Sequence, residues 1–185
     1  IMEWFAKWKK GTKPLLIVGP PGIGKTTIAF LLAKQFGYDM IGLNASDVRS
    51  KSRINEILTP VLGNVSVLGT PMIFVDEVDG IHGRGDYGGA AALVDILKKP
   101  NVPILLAANY DDSDKMKSIK KAATTISFKK IPPRLLRVYL DNILEKENEK
   151  LSPGSLIKVI DKSKGDIRSM INLTQSLITG FNPQT

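Results

Sequence analysis

Short apolar runs alternate with stretches of helical periodicity through the first 130 residues of the chain. The apolar runs predict five β-strands, and residues recurring every three or four positions predict helices between them. The predicted strands lie at residues 15–18, 40–43, 72–75, 103–107 and 125–128, and the helices at 25–36, 51–62 and 90–98. Strands that alternate with helices predict an α/β fold with a five-stranded parallel sheet flanked by helices.

The pattern changes to helices alone after the paired prolines Pro132 and Pro133. Proline suits the first turn of a helix, where a missing N–H costs little. Helical stripes follow over three segments: 134–148, 154–162 and 167–179. We therefore expect two domains, an α/β base over residues 1–131 and a small all-α lid over residues 132–185. An amphipathic helix at 2–10, with Trp4, Phe5 and Trp8, should pack on the base.

A glycine-rich loop stands between the first predicted strand and the first helix of the base. Gly19, Gly24, Lys25 and Thr26 have the spacing of a phosphate-binding loop. Backbone N–H groups at such a helix start attract phosphate, the lysine adds positive charge, and the threonine hydroxyl can bind Mg²⁺. The strand before and the helix after disfavour a chance match. The residues expected to hold a nucleoside triphosphate are Gly19, Pro20, Pro21, Gly22, Ile23, Gly24, Lys25, Thr26 and Thr27.

Two carboxylates follow the third predicted strand directly. Asp76 is placed to bind the same Mg²⁺ as Thr26, and Glu77 to polarise a water for attack on the terminal phosphate. The alternative is that Asp76 and Glu77 merely end a strand, which the nearby phosphate loop makes less attractive. Asp79 lies beyond the strand end, and we expect it to cap the segment after it.

Asparagines follow two other predicted strands. Asn44 and Asn109 each come just after a strand, and the carboxyl ends of parallel strands line one ligand-binding crevice. Asn109 is expected to hydrogen-bond the terminal phosphate or the attacking water, with a capping role as the alternative. The strand at 40–43 separates the phosphate-loop strand from the acidic strand along the chain. We therefore expect another strand to lie between those two in the sheet.

One arginine of the predicted lid is a candidate phosphate ligand. Asp166 can cap the helix that comes after it, and Arg168 then lies in the first turn of that helix. An arginine at this point could clamp the transferring phosphate. A surface salt bridge is the other interpretation.

Composition adds a few limits. The 185 residues contain no cysteine, which excludes disulfides and thiolate metal sites. No apolar run is long enough to cross a membrane, so we expect no membrane association and a cytoplasmic location. The 26 basic and 18 acidic residues give a net charge of +8, which weakly favours a polyanionic partner.

Taken together, these motifs resemble the AAA+ superfamily of ATPases and, within it, the large subunits of archaeal replication factor C, the sliding-clamp loader. The residues that carry the resemblance are GPPGIGKTT at 19–27, LNASDVRS at 43–50, DEVDGIHGRGDYGG at 76–89, Asn109, and GDIRSMIN at 165–172.

The resemblance also implies roles for individual residues. Lys25 and Thr26 would form the first nucleotide motif, and Asp76 and Glu77 the second. Asn109 and Arg168 would be the two sensors of the nucleotide. Asn44 would restrain the catalytic Glu77 until DNA binds.

The resemblance implies an ATPase that uses ATP and Mg²⁺ to load a ring-shaped clamp onto primer-template DNA, together with clamp-loader small subunits. One departure concerns the arginine that most such ATPases insert into a neighbour's site. The sequence has no arginine between Arg84 and Arg134, so this subunit could receive such a finger but not supply one. The family's leading segment and C-terminal collar are also absent, so we expect an ATPase-domain fragment with weak hydrolysis alone.

Three cations open the helix predicted at 51–62 and are candidates for DNA contact. Arg49, Lys51 and Arg53 would add charge at a helix start, and in clamp loaders the corresponding helix lines the DNA chamber. A solvated basic face is the alternative. Two other functions stay open: an ATP-gated assembly module in which hydrolysis is dispensable, and a DNA-remodelling motor, which would need a finger in every copy.

Overall fold

Five parallel strands form one sheet in the computed structural model, which describes residues 1–44, 52, 56, 70–81, 89–109 and 114–180. The strands are β1 (Leu15–Val18), β2 (Tyr38–Asn44), β3 (Thr70–Asp76), β4 (Ile104–Ala108) and β5 (Thr124–Ser127). All paired neighbours run parallel. The predicted α/β fold with a five-stranded parallel sheet is confirmed.

The strand order is β2-β3-β4-β1-β5. β4 therefore lies between β1, which precedes the glycine-rich loop, and β3, which precedes the two carboxylates. This confirms the expectation that another strand separates the two. Val18 of β1 pairs with Ala108 of β4, and Leu106 of β4 pairs with Val75 of β3. The carboxyl ends of all three strands consequently lie side by side.

Seven α-helices lie within the described part of the chain. They are α1 (Met2–Ala6), α2 (Lys25–Gln35), α3 (Gly89–Lys98), α4 (Asp114–Ala122), α5 (Pro133–Lys146), α6 (Pro153–Ser163) and α7 (Ile167–Thr179). A short 3₁₀ helix, Val78–Gly80, follows β3. Most of the helix predicted at 51–62 lies outside the described residues, although Ser52 and Glu56 are helical.

The first helix is shorter than predicted and ends at Ala6 rather than residue 10. A local turn replaces its second half. The Thr12 hydroxyl accepts from the Lys9 N–H at 3.0 Å, and the Thr12 N–H donates to the Lys9 carbonyl at 2.8 Å. Hydrogen bonds of this kind compete with helix formation. Phe5 packs as predicted, since it is buried and stacks on Phe36 with ring centroids 5.3 Å apart.

The chain divides into two compact units. The base unit comprises Ile1–Val18 and Lys25–Ser127, and the helical unit comprises Gly19–Gly24 and Phe128–Thr185. The predicted boundary between residues 131 and 132 stays a prediction.

Each unit has its own hydrophobic core. In the base unit the buried strands β1, β3 and β4 contribute to this core, and Leu93, Leu97, Met116 and Ile119 pack against them from α3 and α4. In the helical unit the core is formed by Leu136, Leu140, Leu144, Leu156, Val159, Ile160 and Met170. Within the described residues, no helix combines the length and apolarity that a membrane crossing requires.

Candidate nucleotide-binding site

Three glycines of the loop after β1 lie at positions that favour glycine. Gly22 and Gly24 have φ angles of 68° and 91°, a left-handed region that glycine adopts at little cost. A Cβ on Gly19 would come within 2.7 Å of the Phe128 carbonyl oxygen, so this position also requires glycine. Helix α2 starts at Lys25, immediately after the loop. Successive backbone N–H groups in such a turn, followed by a helix N-terminus, form a site for an anion.

Lys25 contacts the residue that follows β4. Its side chain is 7% exposed, and its Nζ donates to Asn109 Oδ1 at 2.8 Å. A buried ammonium needs hydrogen-bonding partners, because desolvation disfavours its charge. The structure thus brings together two residues, Lys25 and Asn109, that the sequence assigned to one ligand.

Thr26 meets the first carboxylate after β3. The Thr26 hydroxyl donates to Asp76 Oδ2 at 2.5 Å, although the two residues are 50 positions apart. A hydroxyl and a carboxylate are hard oxygen donors of the kind that Mg²⁺ prefers, and Mg²⁺ commonly uses one or two carboxylates together with substrate phosphates. The described residues contain no group of three or more His, Cys, Asp and Glu that could hold a metal. The Thr26–Asp76 pair has the oxygen donors for a Mg²⁺ ion whose other ligands are phosphate oxygens and waters.

Glu77 lies beside Asp76 and contacts Asn44 at the end of β2. Asn44 Nδ2 donates to Glu77 Oε2 at 3.3 Å, and both side chains are exposed. The backbone of Glu77 is left-handed, with φ 54°, an uncommon conformation for a residue with a side chain. Asp76 Oδ1 accepts from the Glu77 N–H at 2.9 Å. Such conformations concentrate at functional sites and turns.

In the helical unit, the loop touches the start of α7. The Ile167 N–H donates to the Gly22 carbonyl at 2.9 Å. Asp166 caps the helix as predicted, since its Oδ1 accepts from the Ser169 N–H at 2.9 Å. Arg168, the next residue after Ile167, lies in the first turn with its side chain exposed. Arg168 is therefore one residue from a direct contact with the loop.

The remaining predicted site residues occupy varied surroundings. In the loop, Ile23 is buried, Pro20 is half-buried, and Pro21 and Thr27 are exposed. The candidate DNA-binding residues Arg49, Lys51 and Arg53 lie outside the described residues.

Two hydrogen bonds were not foreseen from the sequence. Asp79 was expected to cap the segment after it, most of which lies outside the described residues; its Oδ1 accepts from the Asn109 N–H at 3.0 Å, across 30 residues. The sequence offered one signal for this bond, because Asp79 is a third carboxylate close to Asp76 and Glu77. The bond from Ile167 to Gly22 had no sequence signal, because it uses backbone atoms only.

Comparison with protein families gives a match over most of the chain. The family model for ATPases associated with various cellular activities (AAA) matches residues 15–148. This range includes β1, the glycine-rich loop, both carboxylates after β3, and Asn109.

Curated relatives are similar over nearly the whole chain. The large subunit of replication factor C from Thermofilum pendens is 41% identical over 184 residues, which cover 97% of this chain and 45% of that protein. The Archaeoglobus fulgidus large subunit is 36% identical and subunit 1 from Saccharomyces cerevisiae is 33% identical, each over 97% of this chain. The matches cover 40% and 24% of those two proteins. The chain thus spans less than half the length of these relatives.

Among solved structures, the crystal structure of the FIGL-1 AAA domain in complex with ADP has a similar fold. Its TM-score is 0.69 at 20% identity, covering 91% of this chain and 61% of that one.

Proposed function

Because the chain belongs to the AAA family of ATPases, we propose that it binds and hydrolyses ATP with Mg²⁺ as a subunit of a DNA sliding-clamp loader. The hydrogen bond between Thr26 and Asp76 carries the catalytic part of the proposal. It joins the end of the phosphate loop to the acidic end of β3, the two halves that nucleotide hydrolysis requires. The similarity to replication factor C large subunits supports the clamp-loader part.

In the proposed site, Thr26 and Asp76 hold Mg²⁺, and the loop N–H groups with Lys25 bind the phosphates. When bound, the ion would neutralise part of the negative charge of the phosphates. Lys25 has little freedom to move, since it is buried and bonded to Asn109. Catalysis of phosphoryl transfer relies on such positioning together with electrostatic stabilisation of the phosphate charge.

Glu77 is proposed as the general base, and Asn44 as its restraint. A carboxylate oxygen that accepts from Asn44 is less available to a water, so breaking this bond would release Glu77. Asn109 is proposed to contact the terminal phosphate or the attacking water. Arg168 is proposed to bind phosphate, a role supported by the bond between the adjacent Ile167 and Gly22.

Substitution of Glu77 tests the reaction. Glu77→Gln should lower kcat for ATP hydrolysis at least about a hundredfold, because loss of a general base removes that much, while affinity for ATP stays unchanged. The matched control is Glu145→Gln, which makes the same chemical change at an exposed position of α5. Radiolabelled phosphate release and calorimetry measure the two quantities. Equal hydrolysis by both variants would contradict the proposed role.

The same variant tests the clamp-loader role. In an assembly reconstituted with small subunits, sliding clamp and primer-template DNA, Glu77→Gln should bind the clamp but release it slowly on DNA. Normal loading and release would favour the second candidate, an ATP-gated assembly module in which hydrolysis at this site is dispensable. The sequence between Arg84 and Arg134 contains no arginine to complete a neighbour's site, which supports an assembly role toward that neighbour rather than a catalytic one. The same absence of an arginine disfavours a DNA-remodelling motor, in which every subunit must insert an arginine into its neighbour's site.

A further inference from the structure

Asn109 follows β4 at a point where the hydrogen-bond pattern of the sheet changes. In β4, alternate residues direct their backbone groups toward β3, as the bond from the Ile73 N–H to the Pro103 carbonyl shows at 2.9 Å. The register is constant along the two strands: Ile73 pairs with Ile104, and Val75 pairs with Leu106. Continuing this parallel pattern by two residues would direct the Asn109 N–H at the carbonyl of Glu77.

The backbone of Glu77 does not continue the strand. Its φ of 54° turns the chain out of the sheet, and its carbonyl accepts from the Gly80 N–H at 2.7 Å in the 3₁₀ turn. Its own N–H is bonded by Asp76 Oδ1 rather than by the main chain of β4. The turn that places Glu77 beside Asn44 therefore takes away the acceptor that Asn109 would have had.

Asp79 replaces that acceptor. Its Oδ1 accepts from the Asn109 N–H at 3.0 Å, and both residues are half-buried. A backbone N–H away from water is costly when it has no acceptor. Asn109 is consequently held at two points, its main chain by Asp79 and its side-chain oxygen by Lys25.

We infer that Asp79 is a positioning residue for the ATPase reaction: through the main chain of Asn109, it fixes the carboxamide that is proposed to sense the terminal phosphate. This inference rests on the proposed function, because it assigns a support to one residue of that site. Asp79 itself touches neither nucleotide nor metal in the proposal. Its effect should therefore be limited to the part of the ligand that Asn109 contacts.

The preference for an ATP analogue over ADP distinguishes a positioning role of Asp79 from a role in general stability. Asp79→Ala should lower affinity for a slowly hydrolysed ATP analogue about tenfold, the factor expected if the proposed hydrogen bond from Asn109 to the terminal phosphate is lost, and leave affinity for ADP within about twofold. ADP lacks the terminal phosphate, so a purely structural role would weaken both nucleotides alike. In ATP hydrolysis, KM should rise with the dissociation constant of ATP, and kcat/KM should fall at least as much. Calorimetry and steady-state kinetics measure the two effects.

Three further variants make the test specific. Asp79→Asn keeps an acceptor oxygen in the same place and should retain the wild-type preference, whereas a loss as large as that of Asp79→Ala would contradict the geometric argument. Asp161→Ala, an exposed carboxylate in α6, removes the same charge and should change nothing. In an Asn109→Ala background, Asp79→Ala should have no further effect on nucleotide preference.

The outcomes distinguish two failures. If Asn109→Ala lowers the preference for the ATP analogue but Asp79→Ala does not, the inference on Asp79 is overturned and the proposed function stands. If Asn109→Ala has no effect either, the proposed role of Asn109 is wrong and the support by Asp79 is wrong with it.

Discussion

Gly22 has both an unusual backbone conformation and no room for a side chain. Its φ is 68°, and a Cβ built on it would overlap the Asp166 carboxyl group. Moving the Asp166 carboxyl group away from Gly22 would disturb its hydrogen bond with the Ser169 N–H. An alanine at this position would therefore carry two penalties, one from the backbone and one from the helix cap.

We expect Gly22→Ala to lower the free energy of unfolding by about 1 kcal/mol more than Gly24→Ala, the typical contribution of an N-cap. Gly24 is the matched control, because its φ of 91° imposes backbone strain while no atom lies within 4 Å of its Cβ position. Urea unfolding measures the difference. In an Asp166→Ala background the difference should vanish, and a difference that persists there would contradict the overlap with Asp166.

For individual residues, the sequence predicted which ligand-binding residues meet better than it predicted the contacts that hold them in place. The sequence predicted that Thr26 and Asp76 share a site, and the structure brings them into contact. The burial of Lys25 and the bond from Asn109 to Asp79 were not predicted. Both depend on which strand lies beside which, and no motif in the sequence links Asp79 to Asn109 as the two nucleotide motifs link Thr26 to Asp76.

Helices α6 and α7 each begin with a side-chain cap, whereas α5 does not. Ser152 Oγ accepts from the Ser155 N–H at 3.2 Å, and Asp166 caps α7, whereas Pro132 before α5 makes no side-chain cap. A side-chain acceptor satisfies one of the N–H groups that a helix start leaves without a partner. Both α6 and α7 therefore depend on a single polar residue at their starts.

Ser152→Ala should lower the free energy of unfolding by about 1 kcal/mol, because alanine cannot accept the hydrogen bond from Ser155. Ser176→Ala is the matched control within α7. There the serine hydroxyl bonds the Asn172 carbonyl in a helix interior, and alanine is the better helix former, so the same substitution should be neutral or slightly stabilising. Thermal or urea unfolding of both variants gives the comparison. A destabilisation of equal size at the two serines would rule out the capping effect.

Elements with strong periodicity were predicted within a few residues. The strand β1 agrees at both ends, and α7 was predicted over its observed range, 167–179. Helix α4 was not among the predicted helices, because lysines dominate it and few apolar positions, chiefly Met116 and Ile119, mark its buried face. The N-terminal helix was predicted too long, since the bonds between Lys9 and Thr12 compete with it.

For the whole molecule, net charge and similarity to clamp-loader subunits lead to a prediction about DNA. Replacing Arg49, Lys51 and Arg53 together by glutamine should weaken DNA binding by the assembled loader and flatten its salt dependence. The negative slope of log K against log salt should decrease in magnitude by about 0.9 for each phosphate that the variant no longer neutralises. Titrations at several salt concentrations measure the slope.

A control for this prediction changes the same number of charges elsewhere. Lys146, Lys150 and Lys158 are exposed lysines of the helical unit, and their replacement by glutamine should leave the slope unchanged. If both triple variants alter the slope equally, the effect arises from net charge rather than from the helix predicted at 51–62.

Fold class followed from the alternation of strands and helices, whereas the unit to which the glycine-rich loop belongs has no signal in the sequence. A strand–loop–helix motif taken along the chain assigns the whole loop to the sheet. The compact units instead group Gly19–Gly24 with the helical residues, where Gly22 bonds Ile167. Main-chain hydrogen bonds of this kind leave no pattern in the sequence.

The strand order leaves β5 at one margin of the sheet, next to β1. This strand has only four residues, Thr124–Ser127, and three of them carry hydroxyl groups. A short, polar margin offers few backbone groups to an extended segment of another molecule. Intermolecular strand addition at β5 is therefore disfavoured when the protein is concentrated or warmed, although the strand that leads to the phosphate loop is its immediate neighbour.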